Sequence, residues 1–333
     1  MKAVVLKKAM AVEKNPLEYI NVPSPEPGPG EILIRVHACG ICRTDLHTVE
    51  GEIQPTRMPI IPGHQVIGTV ASCGPEAKRY REGDRVGMAW LFRTCGNCPF
   101  CLAGKENLCE RAQFTGFDAD GGYAEYTKIH EDFAYPIPKV FTDLEAAPLL
   151  CAGIIGYRAL RLSEVKKGQR LGLYGFGAAA HIAVQVAVHR GCEVYVFTRG
   201  GAHQALALRL GASWTGSVND PPPRKLHSAI IFAPAGEIVP VALSHLDKGG
   251  TLALGGIYMT PIPALDYTRH LYDERTIRSV TASTRKDGIE LLQTAAEIPI
   301  RTEIQLFPLN EANRALQLLK AGKINGAGVL EIT

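Results

Sequence analysis

The sequence predicts an α/β protein with one β-rich domain and a second domain built on a doubly wound parallel sheet. Its 333 residues exceed what a single hydrophobic core usually contains. The first hundred or so residues hold short alternating runs, such as residues 31–36, between glycines and prolines. From about residue 145, apolar strands alternate with helical stretches, which is typical of a parallel sheet.

The parallel-sheet domain has a regular series of predicted elements. The predicted strands are residues 171–174, 194–197, 229–232 and 251–254, and the predicted helices are residues 178–190 and 202–210. The three prolines at 221–223 cannot be helical and mark a loop. After about residue 286, amphipathic helices over 287–297 and 310–321 precede a last strand, 327–332.

Composition narrows the classes of function. The chain is 46% hydrophobic and 21% charged, as is ordinary for a soluble globular protein. The net charge of +3 is too small and too dispersed to predict binding to nucleic acid or to a membrane. Residues 1–8 predict a strand rather than a signal peptide, and no apolar run is long enough to cross a bilayer. We therefore expect a cytoplasmic protein.

The nine cysteines are unevenly distributed, and four of them crowd into one loop: Cys95, Cys98, Cys101 and Cys109. In an intracellular chain, such spacing favours a metal over disulfides. Two-residue spacers let adjacent sulfurs reach one ion, and four thiolates complete the tetrahedron that zinc prefers. The alternatives are a coincidental group of cysteines or an iron–sulfur cluster, but the sequence shows no electron-transfer partner for a cluster. The loop therefore predicts a structural zinc site.

A second metal site is suggested by residues that are far apart in the sequence, Cys42, His64 and Cys151. Two cysteines and one histidine form a known type of catalytic zinc site, which keeps a fourth position for water or substrate. Each residue alone has a simpler explanation, since a lone cysteine is usually a small buried hydrophobic residue. Spacing alone leaves both interpretations open.

A glycine-rich turn lies between the predicted strand 171–174 and the helix that follows it. It matches the Gly-x-Gly-x-x-Gly/Ala pattern, in which glycines allow close backbone approach to a pyrophosphate and a small last residue lets the helix pack on its strand. Small residues also occur at such turns without a ligand, so the motif alone is weak. The candidate cofactor-binding residues are Gly175, Phe176, Gly177, Ala178 and Ala180.

The end of the predicted strand 194–197 bears on which dinucleotide binds. An acidic residue there would bind the adenosine ribose hydroxyls and repel a 2′-phosphate. This chain instead has Thr198 followed by Arg199, and arginine offers forked, charged donors to a phosphate. We therefore expect NADP to be modestly favoured. The alternative is that Arg199 is solvated and the protein uses NAD, or both cofactors.

Several segments, in one order along the whole chain, resemble the zinc-dependent alcohol dehydrogenases of the medium-chain dehydrogenase/reductase superfamily. They are Gly-Ile-Cys-Arg-Thr-Asp-Leu-His at 40–47, Pro-Gly-His-Gln-Val-Ile-Gly at 62–68, Gly-Asp-Arg-Val-Gly at 83–87, the four-cysteine loop, Gly-Gly-Tyr-Ala-Glu-Tyr at 121–126, and Ala-Ala-Pro at 146–148 before Cys151. Glutamine after His64, together with residues 175–181 and 273–280, resembles a bacterial subgroup.

This resemblance implies a domain organisation and an assembly. A GroES-like catalytic domain would comprise residues 1–152 and 287–333, with a structural zinc lobe at about 92–112. A Rossmann domain that binds the nicotinamide dinucleotide would comprise residues 153–286. The chain would hold two zinc ions and assemble as a homodimer or homotetramer.

The resemblance also assigns roles to residues. Cys42, His64 and Cys151 would be the catalytic zinc ligands. Thr44 would contact the substrate hydroxyl, and His47 would stand at the solvent end of a proton relay that runs through the cofactor ribose.

Other positions match or depart from the family pattern. Arg43 would contact the cofactor pyrophosphate, whereas Ala327 stands where many relatives have a second arginine. Cys39 is expected to pack rather than bind metal. Most relatives have glutamate after the ligand histidine, and Gln65 in its place leaves any ligand-exchange role there in doubt.

The implied activity is reversible hydride transfer between an alcohol and NAD(P), with zinc lowering the pKa of the alcohol. An apolar pocket of Trp90, Leu91 and Phe114 would favour a primary alcohol or its aldehyde, with secondary and aromatic alcohols as further candidates. A polyol or sugar dehydrogenase would need a more polar pocket. A zinc-free enoyl or quinone reductase would lack the three ligands, and a non-catalytic relative would not need Thr44 and His47.

Overall fold

The structure is a computed structural model that describes residues 1–298 and 300–332. The chain forms two compact units. The first unit comprises Met1–Cys151, Ser283–Ala296 and Arg301–Thr333, and the second comprises Ala152–Ala282 and Glu297–Ile300. The domain ranges expected from the sequence stay predictions. In the described part of the chain, no helix combines the length and the apolar character needed to span a membrane.

The first unit begins with a β-rich stretch. Its strands are β1 (Lys2–Leu6), β2 (Leu17–Asn21), β3 (Glu31–Gly40), β4 (Gln65–Cys73), β5 (Arg85–Met88), β6 (Leu91–Arg93), β7 (Gln113–Phe114), β8 (Tyr126–His130) and β9 (Ala134–Pro136). Its helices are α1 (Arg43–Glu50), α2 (Pro99–Leu102) and α3 (Asp143–Ala146).

The second unit alternates helices and strands. They are α4 (Ala152–Leu162), β10 (Arg170–Tyr174), α5 (Ala178–His189), β11 (Glu193–Phe197), α6 (Gly201–Arg209), β12 (Trp214–Gly216), β13 (Leu226–Ile231), α7 (Ile238–His245), β14 (Leu246–Leu254), α8 (Tyr267–His270) and β15 (Thr276–Ser279). The chain then returns through α9 (Arg285–Glu297), β16 (Ile304–Pro308), α10 (Ala312–Lys320) and β17 (Ala327–Glu331).

The main sheet of the first unit has the strand order β16-β17-β3-β4-β5-β9, and β8 also pairs with β3. Alternation along β3 buries Ile32, Ile34 and Val36 on one face. β3 and β4 run antiparallel, with Gly40 opposite Gln65. The end of β3 and the start of β4 therefore lie side by side, and this register positions the candidate site.

The sheet of the second unit has the order β12-β11-β10-β13-β14-β15, and every neighbouring pair is parallel. Its central strands are buried along their length, which explains their continuous apolar runs. The predicted α/β class, with a β-rich part and a doubly wound parallel sheet, is confirmed. β14 begins at Leu246, five residues before its predicted start, since Lys248 and two glycines interrupt the apolar pattern.

Candidate active site

The register of β3 and β4 brings two of the predicted ligands together. Gly40, the last residue of β3, lies opposite Gln65, the first residue of β4. Cys42 follows two residues after Gly40 and is the N-cap of α1, while His64 immediately precedes β4. Residues that are distant in the sequence thus meet at one end of the sheet.

Cys151 reaches the same place through a short 3-10 helix over Ala147–Leu150. This helix packs against β3, β4 and β5. The approach is close because Gly87 in β5 has no side chain: a Cβ there would lie 2.6 Å from Leu150 Cδ1. The packing fixes the residue that follows the helix, which is Cys151.

The distances among these three side chains fit a metal site. Cys42 Sγ lies 3.7 Å from Cys151 Sγ, and His64 Nε2 lies 3.3 Å from Cys151 Sγ. The three ligand atoms all lie within 4.8 Å of one another. A tetrahedral zinc with two thiolate ligands separates their sulfurs by about 3.8 Å. A disulfide would need sulfurs about 2.05 Å apart, so the pair is suited to a metal and not to a covalent bridge.

A buried carboxylate orients the histidine. Asp45 is only 2% exposed, and its Oδ1 lies 3.0 Å from His64 Nδ1. This contact leaves Nε2 of His64 facing the cysteines. Burial alone would lower the pKa of His64, but Asp45 and Cys42 outweigh it and raise that pKa to about 10. A carboxylate on the second ring nitrogen is the usual support of a metal-binding histidine. Asp45 belongs to the motif at 40–47, but nothing in the sequence alone predicts this role for it.

The two thiols differ in acidity. The hydrogen bond from Cys151 lowers the pKa of Cys42 well below its usual value against the effect of burial, and His64 adds to this lowering. The pKa of Cys151 is raised, because its thiol donates this hydrogen bond to Cys42 and is buried. A thiolate at Cys42 is therefore stabilised before any metal arrives, and metal binding would displace the remaining protons.

Thr44 and His47 are three residues apart on α1 and so share one face of that helix. Thr44 Oγ1 lies 3.7 Å from Cys42 Sγ, next to the ligand set, and its side chain is buried. The imidazole of His47 is also buried, and its Nδ1 contacts the carboxylate of Glu52, which is 45% exposed. The helix thus leads from the ligands towards solvent, and Glu52 is a further residue that sequence reasoning missed.

The four-cysteine loop forms a second, self-contained ligand set between β6 and β7, which pair antiparallel. Cys95 Sγ lies 3.8 Å from Cys101 Sγ and 3.5 Å from Cys109 Sγ. Backbone N–H groups, led by that of Asn97, lower the pKa of Cys95 to about 6. These separations and the exclusively thiolate donors fit a tetrahedral zinc with no open position.

Aromatic side chains stand beside the dispersed ligand set. The Trp90 ring lies edge-on to His64, with centroids 4.9 Å apart, and stacks on Phe114 at 5.0 Å. Phe117 adds a tilted contact to Trp90 at 5.8 Å. Leu91, in contrast, belongs to the hydrophobic core of the first unit. The ligand set thus has an apolar, aromatic wall on one side.

Comparison with known proteins agrees with this geometry. The alcohol dehydrogenase GroES-like domain matches residues 28–139, and the zinc-binding dehydrogenase family matches residues 178–297. The probable alcohol dehydrogenase AdhA of Mycobacterium tuberculosis is 48% identical over 337 residues, which cover 100% of this chain and 97% of that protein. This chain belongs to the zinc-dependent alcohol dehydrogenases of the medium-chain dehydrogenase/reductase superfamily.

Other relatives support the same assignment. An alcohol dehydrogenase of Geobacillus stearothermophilus is 36% identical, covering 98% of this chain and 99% of that protein. The solved structure of CAD from Helicobacter pylori, complexed with NADP(H), matches with a TM-score of 0.88 at 26% identity over 99% of both chains. The protein is therefore an oxidoreductase that acts on alcohols, and its cofactors are zinc and a nicotinamide dinucleotide.

The glycine-rich turn predicted to bind the dinucleotide lies between β10 and α5. Gly175 has a φ of 88°, and a Cβ there would lie 3.0 Å from the backbone nitrogen of Ala233, so glycine is required. A Cβ on Gly177, the N-cap of α5, would meet no atom within 4 Å, which leaves room in front of the helix N-terminus. Phe176 and Ala180 are buried behind the turn.

β11 ends beside this turn, because it pairs in parallel with β10 and Gly175 N donates to Phe197 O at 2.8 Å. Thr198 follows and is buried, whereas Arg199 is exposed. The structure thus places these two candidate residues next to the glycine-rich turn within the second unit.

The remaining predicted residues fall in distinct environments. Cys39 is fully buried outside the ligand set, and burial raises its pKa, so it stays a thiol. Gln65 is buried against Gly40, where a Cβ would lie 2.9 Å from its Cδ. Arg43 is exposed in the first turn of α1, where a positive charge opposes the helix dipole. Such an unfavourable position is consistent with a ligand-binding arginine.

Proposed function

We propose that Cys42, His64 and Cys151 hold a catalytic zinc and that the four-cysteine loop holds a second, structural zinc. The convergence of the dispersed ligand atoms within 4.8 Å carries this proposal. Three ligands leave a fourth position for substrate, whereas four thiolates close the other site to chemistry. Asp45 on Nδ1 of His64 is the support that the catalytic set requires.

In this proposal, bound zinc supplies a Lewis acid that lowers the pKa of an alcohol, and the nicotinamide dinucleotide supplies a hydride acceptor. Cys42 and Cys151 bring two negative charges, which offset the charge of the ion. Asp45 holds a proton at Nδ1 of His64, so that Nε2 is the nitrogen that would bind the ion once zinc displaced any proton there. The aromatic wall of Trp90 and Phe114 excludes water from one side.

We assign the proton path to α1. The Thr44 hydroxyl, beside Cys42 Sγ, accepts the proton of the alcohol as it releases its own proton along the path towards His47. His47, one turn further along, takes up the proton at the outer end of the path, where its Nδ1 contacts the Glu52 carboxylate. Because Glu52 is 45% exposed, this end of the path reaches solvent.

Metal analysis tests the two-zinc proposal. Zinc-replete protein should contain about two equivalents, and Cys42→Ser should reduce this to about one and abolish turnover. Cys98→Ser should instead chiefly reduce stability, because structural zinc contributes free energy of folding. Cys192→Ser, at a cysteine outside both sets, should keep both ions. About one equivalent or less in the wild type would contradict the proposal.

Steady-state kinetics tests the proton path. Thr44→Val should remove most activity, because no hydroxyl then accepts the proton, and Thr48→Val on the same helix should retain it. His47→Ala should slow turnover roughly ten- to a hundredfold, with partial recovery in concentrated buffer. Full activity of His47→Ala at neutral pH would mean that the proton leaves by another route.

We further propose a modest preference for NADP. Neutral Thr198 offers no repulsion to a 2′-phosphate, and Arg199 stands exposed between β11 and α6, where its guanidinium can donate to that phosphate. A Cβ on either of the two glycines that follow would meet no atom within 4 Å, so the loop is open enough for a phosphate. The NADP(H) complex of the Helicobacter pylori relative supports this choice.

Cofactor titrations test this preference. Arg199→Ala should weaken NADP binding roughly ten- to a hundredfold and leave NAD nearly unchanged, as expected for one charge-assisted contact. Thr198→Asp should shift the preference towards NAD, because it adds a ribose partner and a repulsive charge together. Arg209→Ala, at the far end of α6, is the matched control. If the wild type strongly prefers NAD and Arg199→Ala changes neither affinity, Arg199 has no role in binding.

The aromatic wall favours apolar substrates. Trp90, Phe114 and Phe117 stand next to the ligand set and offer ring faces and edges but few hydrogen bonds. We therefore propose a primary alcohol or its aldehyde as the substrate, with aromatic and secondary alcohols as the next candidates. The hydroxyl groups of a polyol would find few hydrogen-bonding partners along this wall.

We also propose that the protein is a cytoplasmic homo-oligomer, a dimer or tetramer. The six zinc-binding thiols must stay reduced, which suits a reducing compartment. β15 is an edge of the parallel sheet, and Tyr267 and Tyr272 nearby are 64% and 65% exposed. An edge strand with exposed aromatic neighbours is suited to pairing with a second copy.

A further inference from the structure

The segment Gly-Gly-Tyr at 121–123 runs alongside the residues that precede His64. Gly121 N donates to Ile61 O at 2.7 Å, Gly122 N to Gly63 O at 2.9 Å, and Tyr123 N to Pro62 O at 3.0 Å. Both glycines are needed for this approach. A Cβ at Gly121 would lie 2.0 Å from Gly63 O, and one at Gly122 would lie 2.2 Å from Val66 Cγ2.

This pairing places the side chain of Tyr123 behind the catalytic ligands. The residue is fully buried, and its ring lies against Gly63, where a Cβ would be 2.3 Å from Tyr123 Cδ1. Its hydroxyl donates to Asp45 Oδ2 at 3.1 Å, across 78 residues of sequence. A fully buried tyrosine hydroxyl that donates to a buried carboxylate is a directed contact, because neither group has water as an alternative partner.

Asp45 accepts two hydrogen bonds at each carboxylate oxygen. Oδ1 accepts hydrogen bonds from His64 Nδ1 at 3.0 Å and from Gly63 N at 3.3 Å. Oδ2 accepts hydrogen bonds from Cys42 N at 2.8 Å and from the Tyr123 hydroxyl at 3.1 Å. Without the hydroxyl, Oδ2 would keep the single donor from Cys42, and the carboxylate could turn about its Cβ–Cγ bond. The orientation of His64 would then be less strictly fixed.

We propose that Tyr123 is a positioning residue of the catalytic centre, which acts through Asp45 on the orientation of His64 and so on how firmly zinc is held. The proposal rests on the zinc site assigned above. Tyr123 contributes to this positioning through its hydroxyl and not through its ring, because the ring packs on Gly63 whether or not it carries the oxygen. Tyr123→Phe therefore isolates it.

The test is the rate at which a chelator removes zinc from the folded holoenzyme. The Cys42→Ser variant should retain only the zinc of the four-cysteine loop (the lobe), and it therefore identifies which phase of zinc release belongs to the lobe. Tyr123→Phe should speed release from the catalytic site about three- to thirtyfold, somewhat less than the 10–100-fold typical of a direct outer partner of a metal ligand. Release from the lobe should be unchanged. In cobalt-substituted protein, the absorption bands of the catalytic site should shift in the same variant.

Tyr80→Phe is the matched control, because Tyr80 also donates a hydroxyl hydrogen bond, to Ala134 O at 2.9 Å, within the first unit. It should leave both release rates and the cobalt spectrum unchanged. A double-mutant cycle supplies the link to Asp45. In an Asp45→Asn background, which should hold zinc more weakly, Tyr123→Phe should add little further effect.

Three results would overturn the proposal: release at the wild-type rate in Tyr123→Phe, equal acceleration at both zinc sites, or the same acceleration in the Asp45→Asn background. If Asp45→Asn retains no catalytic zinc, the comparison of Tyr123→Phe with Tyr80→Phe decides the matter. Failure of the zinc assignment itself looks different, since the wild type would then release no second zinc.

Discussion

The proposed catalytic centre depends on the buried, hydrogen-bonded carboxylate of Asp45. It accepts hydrogen bonds from Cys42, Gly63, His64 and Tyr123, which lie on three separate segments of the chain. A buried charge is costly unless it is fully hydrogen-bonded, so these segments must close together for the charge to be tolerated. The same carboxylate caps α1 at its third residue. One group thus sets the start of the helix to which we assign the proton path and the orientation of the proposed ligand histidine.

Much of the fold could be predicted from the sequence, because the central strands of the parallel sheet are buried on both faces and therefore form continuous apolar runs in the sequence. β10, β11 and β13 are of this kind. The edge strands β12 and β15 were missed, since they are short and half exposed and so carry no apolar run. Edge position is a property of the sheet, which local sequence does not encode.

The two proposed metal sites differ in how far the sequence alone could predict them. The four cysteines of the lobe lie in one loop, so their spacing was sufficient to predict a ligand set. The dispersed set needed the family resemblance, because β-strand register, and not spacing, brings Cys42 and His64 together. Asp45, Glu52 and Tyr123 were missed because their roles depend on partners. A carboxylate three residues after the N-cap was the available signal for Asp45, but cysteine is an unusual cap.

Diffraction data collected at the zinc absorption edge, from crystals of the zinc-loaded protein, would show whether Asp45 directs His64 Nε2 towards a zinc ion. We expect an anomalous peak about 2.0–2.1 Å from His64 Nε2 and about 2.3 Å from the sulfurs of Cys42 and Cys151, with Asp45 still hydrogen-bonded to Nδ1. A second peak should lie among the four cysteines of the lobe. No peak at the dispersed set, or a zinc bound through His64 Nδ1 with Asp45 displaced, would contradict this expectation.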